Sequence, residues 1–361
     1  MSLGEAIVTL RRANGLTQQE LAGRAEITQA ALSRYENELR SPDATAVSTL
    51  AEALGVTAEF LQRADRADGA FMIEAHMRRR ATAKPTVWRR LEAKLNVYRQ
   101  HLEAVAETVD LVPRLSLPTF DSMEYAPDEA ARMVRMQWRM PAGPVRGLTR
   151  WLESAGCLIV TEDFGSAAGG SRVDGLSQWS SDAPVVLVNE RAPTDRLRLT
   201  LAHELGHICL HSGKLGGDPE DEANSFAAEF LMPAAAIRAD LRNLDLGRLH
   251  LLKRQWGVSM QALIERAHHL GTLAPAKRTS LYKALSKRGW RTKEPLSDEL
   301  PPEQPMLVSR LVDALSDAGL TRSETRHVIG IAESADNPPP FTEHAFPPAA
   351  RHLTVVERHP R

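Results

Sequence analysis

The chain is predicted to be α+β and mostly helical, with a small sheet set between a helical front and a helical rear. Three observations carry this. Residues 3–61 run in short amphipathic stretches, each broken by a capping residue or a glycine. Apolar runs between 157 and 189 have the short, β-branched character of strands. Residues 199–211 then return to a helical pattern that holds His203 and His207, four apart. With 361 residues, the chain is long enough for two or three domains and at least one sizeable core.

The front resolves into four or five helices. Ile7, Leu10 and Arg11 open the pattern, and Asn14-Gly15 stops it. Thr17 stands three residues before Glu20, a capping box for a helix over 18–24. Ile27-Thr28 restarts the chain, and a helix over 29–36 follows. Asp43 caps the next, which carries Val47, Leu50, Ala51 and Leu54 and ends at Gly55. Two short helices joined by a tight turn predict a helix-turn-helix whose second member, 29–36, enters the major groove. Gln29, Ser33 and Arg34 suit base edges or phosphates, and Thr28 can cap that helix and touch phosphate. Gln18 joins them as a DNA contact. Residues 1–66 carry seven Lys/Arg against nine Asp/Glu, so DNA binding here requires locally placed positive charge.

The residues Leu10-Arg11, Gly15-Leu16-Thr17-Gln18, Glu20-Leu21-Ala22, Ser33, Tyr35-Glu36-Asn37, Pro42 and Leu50-Ala51-Glu52-Ala53-Leu54-Gly55-Val56 resemble the bacterial Xre-type helix-turn-helix domain. The resemblance covers the whole of 1–66. It implies sequence-specific binding of double-stranded DNA, often as a homodimer.

Residues 64–70 have the character of a short linker, and 71–144 that of a basic helical linker region. Within it, 74–100 holds eight Lys/Arg and two Glu, with Trp88, Leu91, Leu95 and Tyr98 on one apolar helical face. The basic residues can supply phosphate contacts that the acidic front lacks. Pro127 opens a helix ended by Pro141, and another follows over 145–155. Strands are expected over 157–160, 173–177 and 184–189, with a glycine- and serine-rich turn over 165–172. Asp195 is expected to cap the helix that carries His203.

On that helix His203 and His207 share a face one turn apart, so both imidazoles can reach one metal ion, and Glu204 can reach a water bound to it. This is the HExxH pattern of zinc-dependent peptidases. Downstream, Asp218-Pro219 starts a buried helix ended by Pro233. Glu220 and Asn224 lie on one face of it. Glu220 can complete a His/His/Glu site, and Asn224 can hold the second nitrogen of a ligand histidine. Glu222, about 200° round the same helix, is the alternative ligand, and Asp221 a third. His211 stands about 12 Å beyond His203 along a straight helix, too far for one ion to take His203, His207 and His211 together. Glu204 would be general base, with His211, His268, His269 and Tyr282 as candidate oxyanion or substrate contacts.

His203-Glu204-Leu205-Gly206-His207, the continuation to His211, and the run from Glu222 to Pro233 resemble the ImmA/IrrE family of bacterial zinc peptidases. The resemblance spans roughly 145–270. It implies a gluzincin-like peptidase domain with a small β-sheet, placed here at 145–294, that uses Zn to cut a protein substrate. In the family's best-understood members that substrate is an Xre-type repressor, in phage-like induction or stress response. Fusion of the two domains in one chain leaves a partner repressor or the chain itself as substrate. The alternative is a transcriptional regulator or antitoxin-like protein whose peptidase fold is a non-catalytic scaffold or sensing module.

After the peptidase core, basic helices are expected around 246–256, 260–269 and 275–286, then a Pro- and acid-rich linker over 295–305. A small C-terminal helical segment and tail would occupy 306–361. Cys157 and Cys209 sit in apolar contexts that favour reduced thiols. No apolar run approaches the ~20 residues of a membrane span, and no secretory pattern opens the chain, so a cytoplasmic protein with no membrane partner is expected.

Overall fold

A computed structural model describes residues 2–63, 85–165, 174–179, 183–211, 217–336 and 341. The expected linker at 64–70, the basic residues Arg78, Arg79, Arg80 and Lys84, most of the 165–172 turn and most of the tail past 336 lie outside the described residues.

Five helices form the front: α1 (Leu3–Ala13), α2 (Gln18–Arg24), α3 (Gln29–Glu36), α4 (Ala44–Leu54) and α5 (Ala58–Arg63). Thr17 and Glu20 close the predicted capping box on α2, Thr28 caps α3, and Asp43 caps α4. Gly55 ends α4 at φ 78°, a left-handed conformation that glycine adopts without cost. Ile7, Leu10, Leu21, Leu32, Leu50 and Leu61 fill the core between these helices.

Helix α6 (Pro85–Ala106) is a shared wall rather than a spacer. Leu91, Leu95, Tyr98, Leu102 and Val105 line one face and pack towards the sheet, whereas Ala93 and Val97 join the core of the front helices. Two of its basic residues serve the interior. Lys94 pairs with Glu162, which also accepts the Tyr98 hydroxyl, and Arg99 pairs with Glu103 at 2.9 Å.

The sheet has order β1-β3-β2, with β1 (Leu158–Glu162) parallel and β2 (Gly175–Trp179) antiparallel to the central β3 (Pro184–Asn189). Both faces are covered, which explains why its strands are nearly all apolar. Leu158, Val160, Leu176, Val185 and Leu187 face α6 and α15 (Leu307–Asp317). Ile159, Val186 and Val188 face the larger helical core. That core is built from α7 (Pro127–Gln137), α8 (Leu148–Ser154), α9 (Thr194–Leu210), α10 (Pro219–Leu231), α12 (Leu246–Trp256), α13 (Met260–His269) and α14 (Pro275–Lys287). Short α11 (Ala234–Ile237) follows α10.

Two expectations are corrected here. Asp195 does not cap α9, which starts after Pro193 without a side-chain cap. Asp195 is buried instead and takes the ammonium of the fully buried Lys253 at 2.5 Å. The stretch 295–305 is not a loose linker. Its Ser297 and the preceding Glu294 each accept from Lys253 Nζ at 2.8 Å. Glu294 also accepts the amides of Met260 and Gln261 at the start of α13. Glu303 pairs with Arg198 and accepts the amides of Leu148 and Thr149 at 3.0 Å, where Gly147 gives α8 no side-chain cap. Glu153 likewise takes the amides of Met306 and Leu307 at the start of α15. Helix N-termini carry unpaired N–H groups and partial positive charge, so these distant carboxylates act as caps.

The C-terminal segment returns to the front. Val56 and Ile331 form an antiparallel bridge, with Thr57 N donating to Gly330 O at 3.0 Å and Ala332 N to Gly55 O at 3.1 Å. At this junction His101 on α6 stacks on Phe60 of α5 with centroids 4.3 Å apart. Its Nδ1 lies 2.7 Å from the carbonyl of Ile329, in α16 (Arg322–Ile329). Full burial pushes the imidazole down to about 4, against the opposing effect of that hydrogen bond. Below its unfolded value of 6.5 the unfolded chain therefore binds a proton that the folded chain refuses, so this site stabilises the fold above that pH and loses its contribution as pH falls towards 4. We expect the unfolding free energy of the wild type to fall by about 3 kcal/mol more than that of His101→Gln between pH 7.5 and pH 4, measured by denaturant titration.

Candidate metal centre and DNA-reading face

Two helices make the centre, and one glycine lets them meet. On α9 a Cβ at Gly206 would lie 3.1 Å from the Cα of Ala223 and 3.2 Å from the Cβ of Phe226, so α10 crosses close to its backbone. That crossing brings Glu220, in the first turn of α10, to the two histidines of α9. His203 Nε2 lies 3.0 Å from His207 Nε2, and the Glu220 carboxylate is 3.7 Å from the first and 3.4 Å from the second. His203, Glu204 and His207 are buried.

The hydrogen bonds behind the histidines fix what faces this point. His203 Nδ1 is 3.1 Å from the amide oxygen of Asn224, so Nδ1 carries the proton and Nε2 is bare. His207 Nδ1 is 2.9 Å from His211 Nδ1, and His211 Nε2 is 2.9 Å from the Glu222 carboxylate. With Glu222 as acceptor, neutral His211 is protonated at Nε2 and its Nδ1 accepts from His207 Nδ1–H. His207 Nε2 is then also bare. Two lone pairs and a carboxylate thus converge, an arrangement that repels itself unless a cation lies among the three. Tetrahedral ligands at about 2.0–2.1 Å from one ion stand about 3.3 Å apart, which matches these separations. Among the described residues, this is the one group of three or more His, Cys, Asp or Glu side chains that can hold a metal ion.

Glu204 lies on α9 beside the cluster, and Ser177 on β2 donates to its Oε2 at 2.6 Å. Ser177 was not among the residues singled out from sequence. The available signal was alternation: Leu176 faces the α6 side, so Ser177 must face α9. Gly175 shares that face, where a Cβ would meet Thr200 Cγ2 at 2.5 Å. The glycine lets the strand lie directly on α9.

In the front helices, Gln29, Arg34 and Asn37 are exposed and Ser33 is half-buried. They form one face of α3 and its end, while Leu32 and Tyr35 are buried behind. Glu36 is used internally. It takes Arg11 Nε at 2.5 Å and Gln18 Nε2 at 2.7 Å, tying α1, α2 and α3 together. Gln18 therefore engages a neighbouring helix through its amide nitrogen, and Thr28 uses its hydroxyl to cap α3.

Residues 7–61 match the helix-turn-helix family model, and residues 152–268 match the peptidase family model described as an IrrE N-terminal-like domain. The chain joins these two domains. No curated protein matches it at a significant level.

The cluster lies wholly inside the IrrE N-terminal-like domain. Other residues predicted for that domain's site are placed elsewhere. Glu222 is directed to His211 rather than to the point where His203, His207 and Glu220 converge, as its angle round α10 requires. His211 is completely buried behind His207. His268 approaches the carbonyl of Leu273, and His269 is exposed. The Tyr282 hydroxyl donates to Glu265, with Arg278 and Arg291 over its ring. Burial and the Glu265 carboxylate raise the tyrosine further above its ordinary range. Glu265 lies on α13, and Arg278 and Tyr282 lie on α14. Cys157 and Cys209 are buried thiols, with Cys157 pushed up to about 12 by burial.

Proposed function

We propose that the chain is a DNA-binding transcriptional regulator that is also a zinc-dependent endopeptidase, acting on a repressor-type protein or on itself. The observation that carries the peptidase half is the convergence of His203 Nε2, His207 Nε2 and the Glu220 carboxylate on one point, with Glu204 beside it. Two imidazoles and one carboxylate are the donor set of a catalytic zinc, and they leave a fourth position open. The bound ion would polarise the scissile carbonyl and acidify a water. Glu204 is the base that takes the water's proton at a carboxylate oxygen and returns it to the leaving amine. Ser177 donates to the Oε2 edge of that carboxylate and so orients it. His203, His207 and Glu220 would hold the ion, and Asn224 holds the ring of His203. No membrane partner is invoked: among the described residues no helix is long and apolar enough to cross a bilayer.

The competing reading is a regulator whose peptidase fold is a scaffold, and the 1% exposure of Glu204 is the observation in its favour. Glu204→Gln separates the two. We expect it to bind one zinc per chain like the wild type and to lose cleavage of a cognate repressor, or of the chain itself, by at least 100-fold. Equal turnover in both proteins would remove Glu204 as base. Absence of turnover in both, with DNA regulation intact, would favour the scaffold.

The DNA half rests on the exposed face of α3. The front is acidic overall, and Arg11 is held by Glu36. Positive charge comes from Arg34 on α3 and from Arg89 and Arg90 on α6, all exposed. The Arg90 guanidinium lies against Gly15, two residues before the cap of α2, where a Cβ would be 3.4 Å from its carbon. Phosphate contacts position a protein on DNA without reading sequence. We therefore expect Arg34→Ala to weaken a specific operator complex by about 1–3 kcal/mol. Arg89→Ala/Arg90→Ala should instead weaken all DNA alike and lower the slope of log K against log salt by up to about 1.8. Fluorescence anisotropy over a salt series distinguishes the two, and unchanged affinity in Arg34→Ala would remove α3 as reader.

A further inference from the structure

We infer that Glu222 and His211 form a positioning relay that fixes the donor nitrogen of His207 and sets how tightly the centre holds its metal. The inference rests on the metal reading above and concerns two residues outside the His203, His207 and Glu220 group. The line of groups is continuous. The Glu222 carboxylate is 2.9 Å from His211 Nε2, and His211 Nδ1 is 2.9 Å from His207 Nδ1. The two imidazoles have centroids 5.0 Å apart and a 54° tilt, which suits an in-plane hydrogen bond between ring nitrogens rather than stacking. His211 is completely buried, so water does not compete for its nitrogens.

The chemistry follows from the end of the chain that carries charge. A carboxylate accepts only, so neutral His211 presents Nε2–H to it and a bare Nδ1 to His207. His207 must then donate from Nδ1, and its Nε2 is left to bind the ion. A hydrogen bond from the far nitrogen makes an imidazole a better ligand, and relayed negative charge strengthens the effect. The two histidines are thus supported unequally. His203 has the neutral amide oxygen of Asn224, whereas His207 has a carboxylate acting through a second imidazole. Gly217 makes room for the carboxylate, since a Cβ there would meet Glu222 Oε1 at 2.6 Å. The same relay crosses from α9 to α10 and so holds the two helices that carry the donors in register.

The test is zinc affinity of the full chain, measured by competition with a chromophoric chelator, together with nitrogen NMR of the imidazoles. We expect Glu222→Ala to bind zinc about 10–100-fold more weakly than the wild type, with one ion still bound at saturation. Glu222→Gln, whose amide oxygen still accepts from His211, should lose less. In the zinc-loaded wild type, His211 should be neutral with its proton on Nε2, a signature that mere packing would not produce. Affinity within twofold of wild type in Glu222→Ala, or a His211 proton on Nδ1, would overturn the relay while leaving the metal reading intact. If Glu222→Ala does not fold, the wild-type tautomer decides alone. A wild type that binds no zinc would overturn both.

Discussion

The crossing of α9 and α10 at Gly206 is the constraint on which the centre depends. The three converging donors come from two helices, and no single helix can present them all. Glu220 reaches the histidines only because the backbone of α10 passes within van der Waals contact of a residue with no side chain. Ala223 and Phe226 form the other side of that contact, and the Phe226 ring lies in the core beneath. A small residue on each helix at the crossing therefore sets the distance between the three donors. The outer supports then refine orientation: Asn224 behind His203, His211 behind His207 and Ser177 behind Glu204.

The rest of the chain holds α9 in place through charge buried in pairs. Asp195 and Arg198 in its first turns bind Lys253 and Glu303, which come from α12 and from the stretch before α15. Buried charges are costly unless paired and hydrogen-bonded, and here Glu303 also satisfies the N-terminus of α8 and Glu294, the other acid on Lys253, that of α13. Removing one partner would strand the other, so these straps specify one arrangement. The front domain is tied in by different means: the apolar second face of α6 and the two backbone hydrogen bonds at Val56 and Ile331. The helix-turn-helix domain and the IrrE N-terminal-like domain are thus coupled through packed structure.

What was legible in the sequence was local. The capping box at Thr17 and Glu20 and the caps at Thr28 and Asp43 depend on neighbours three residues away, and α2 and α3 begin where these caps place them. The spacing that puts His203 and His207 on one face is likewise a property of one helix. Glu220 was legible because helix starts are marked and the two helices are close in sequence. Tertiary pairing was not legible. Glu222 looked like an alternative ligand because composition does not say which neighbour its face meets, and that neighbour is His211. Ser177 stood in an ordinary strand, and only the layering of the sheet on α9 gives it Glu204. The stretch 295–305 has the proline and acid content of a linker, but its Ser297 hydroxyl accepts from Lys253 and its Glu303 carboxylate pairs with Arg198.

The central claim is that His203, His207 and Glu220 share one zinc ion. X-ray absorption at the zinc edge, on the purified full chain, tests it most directly. The account predicts one zinc per chain bound by two imidazole nitrogens and by oxygen at about 2.0–2.1 Å, with no sulfur at about 2.3 Å. Zinc bound through sulfur, or a chain that retains no metal at all, would contradict it.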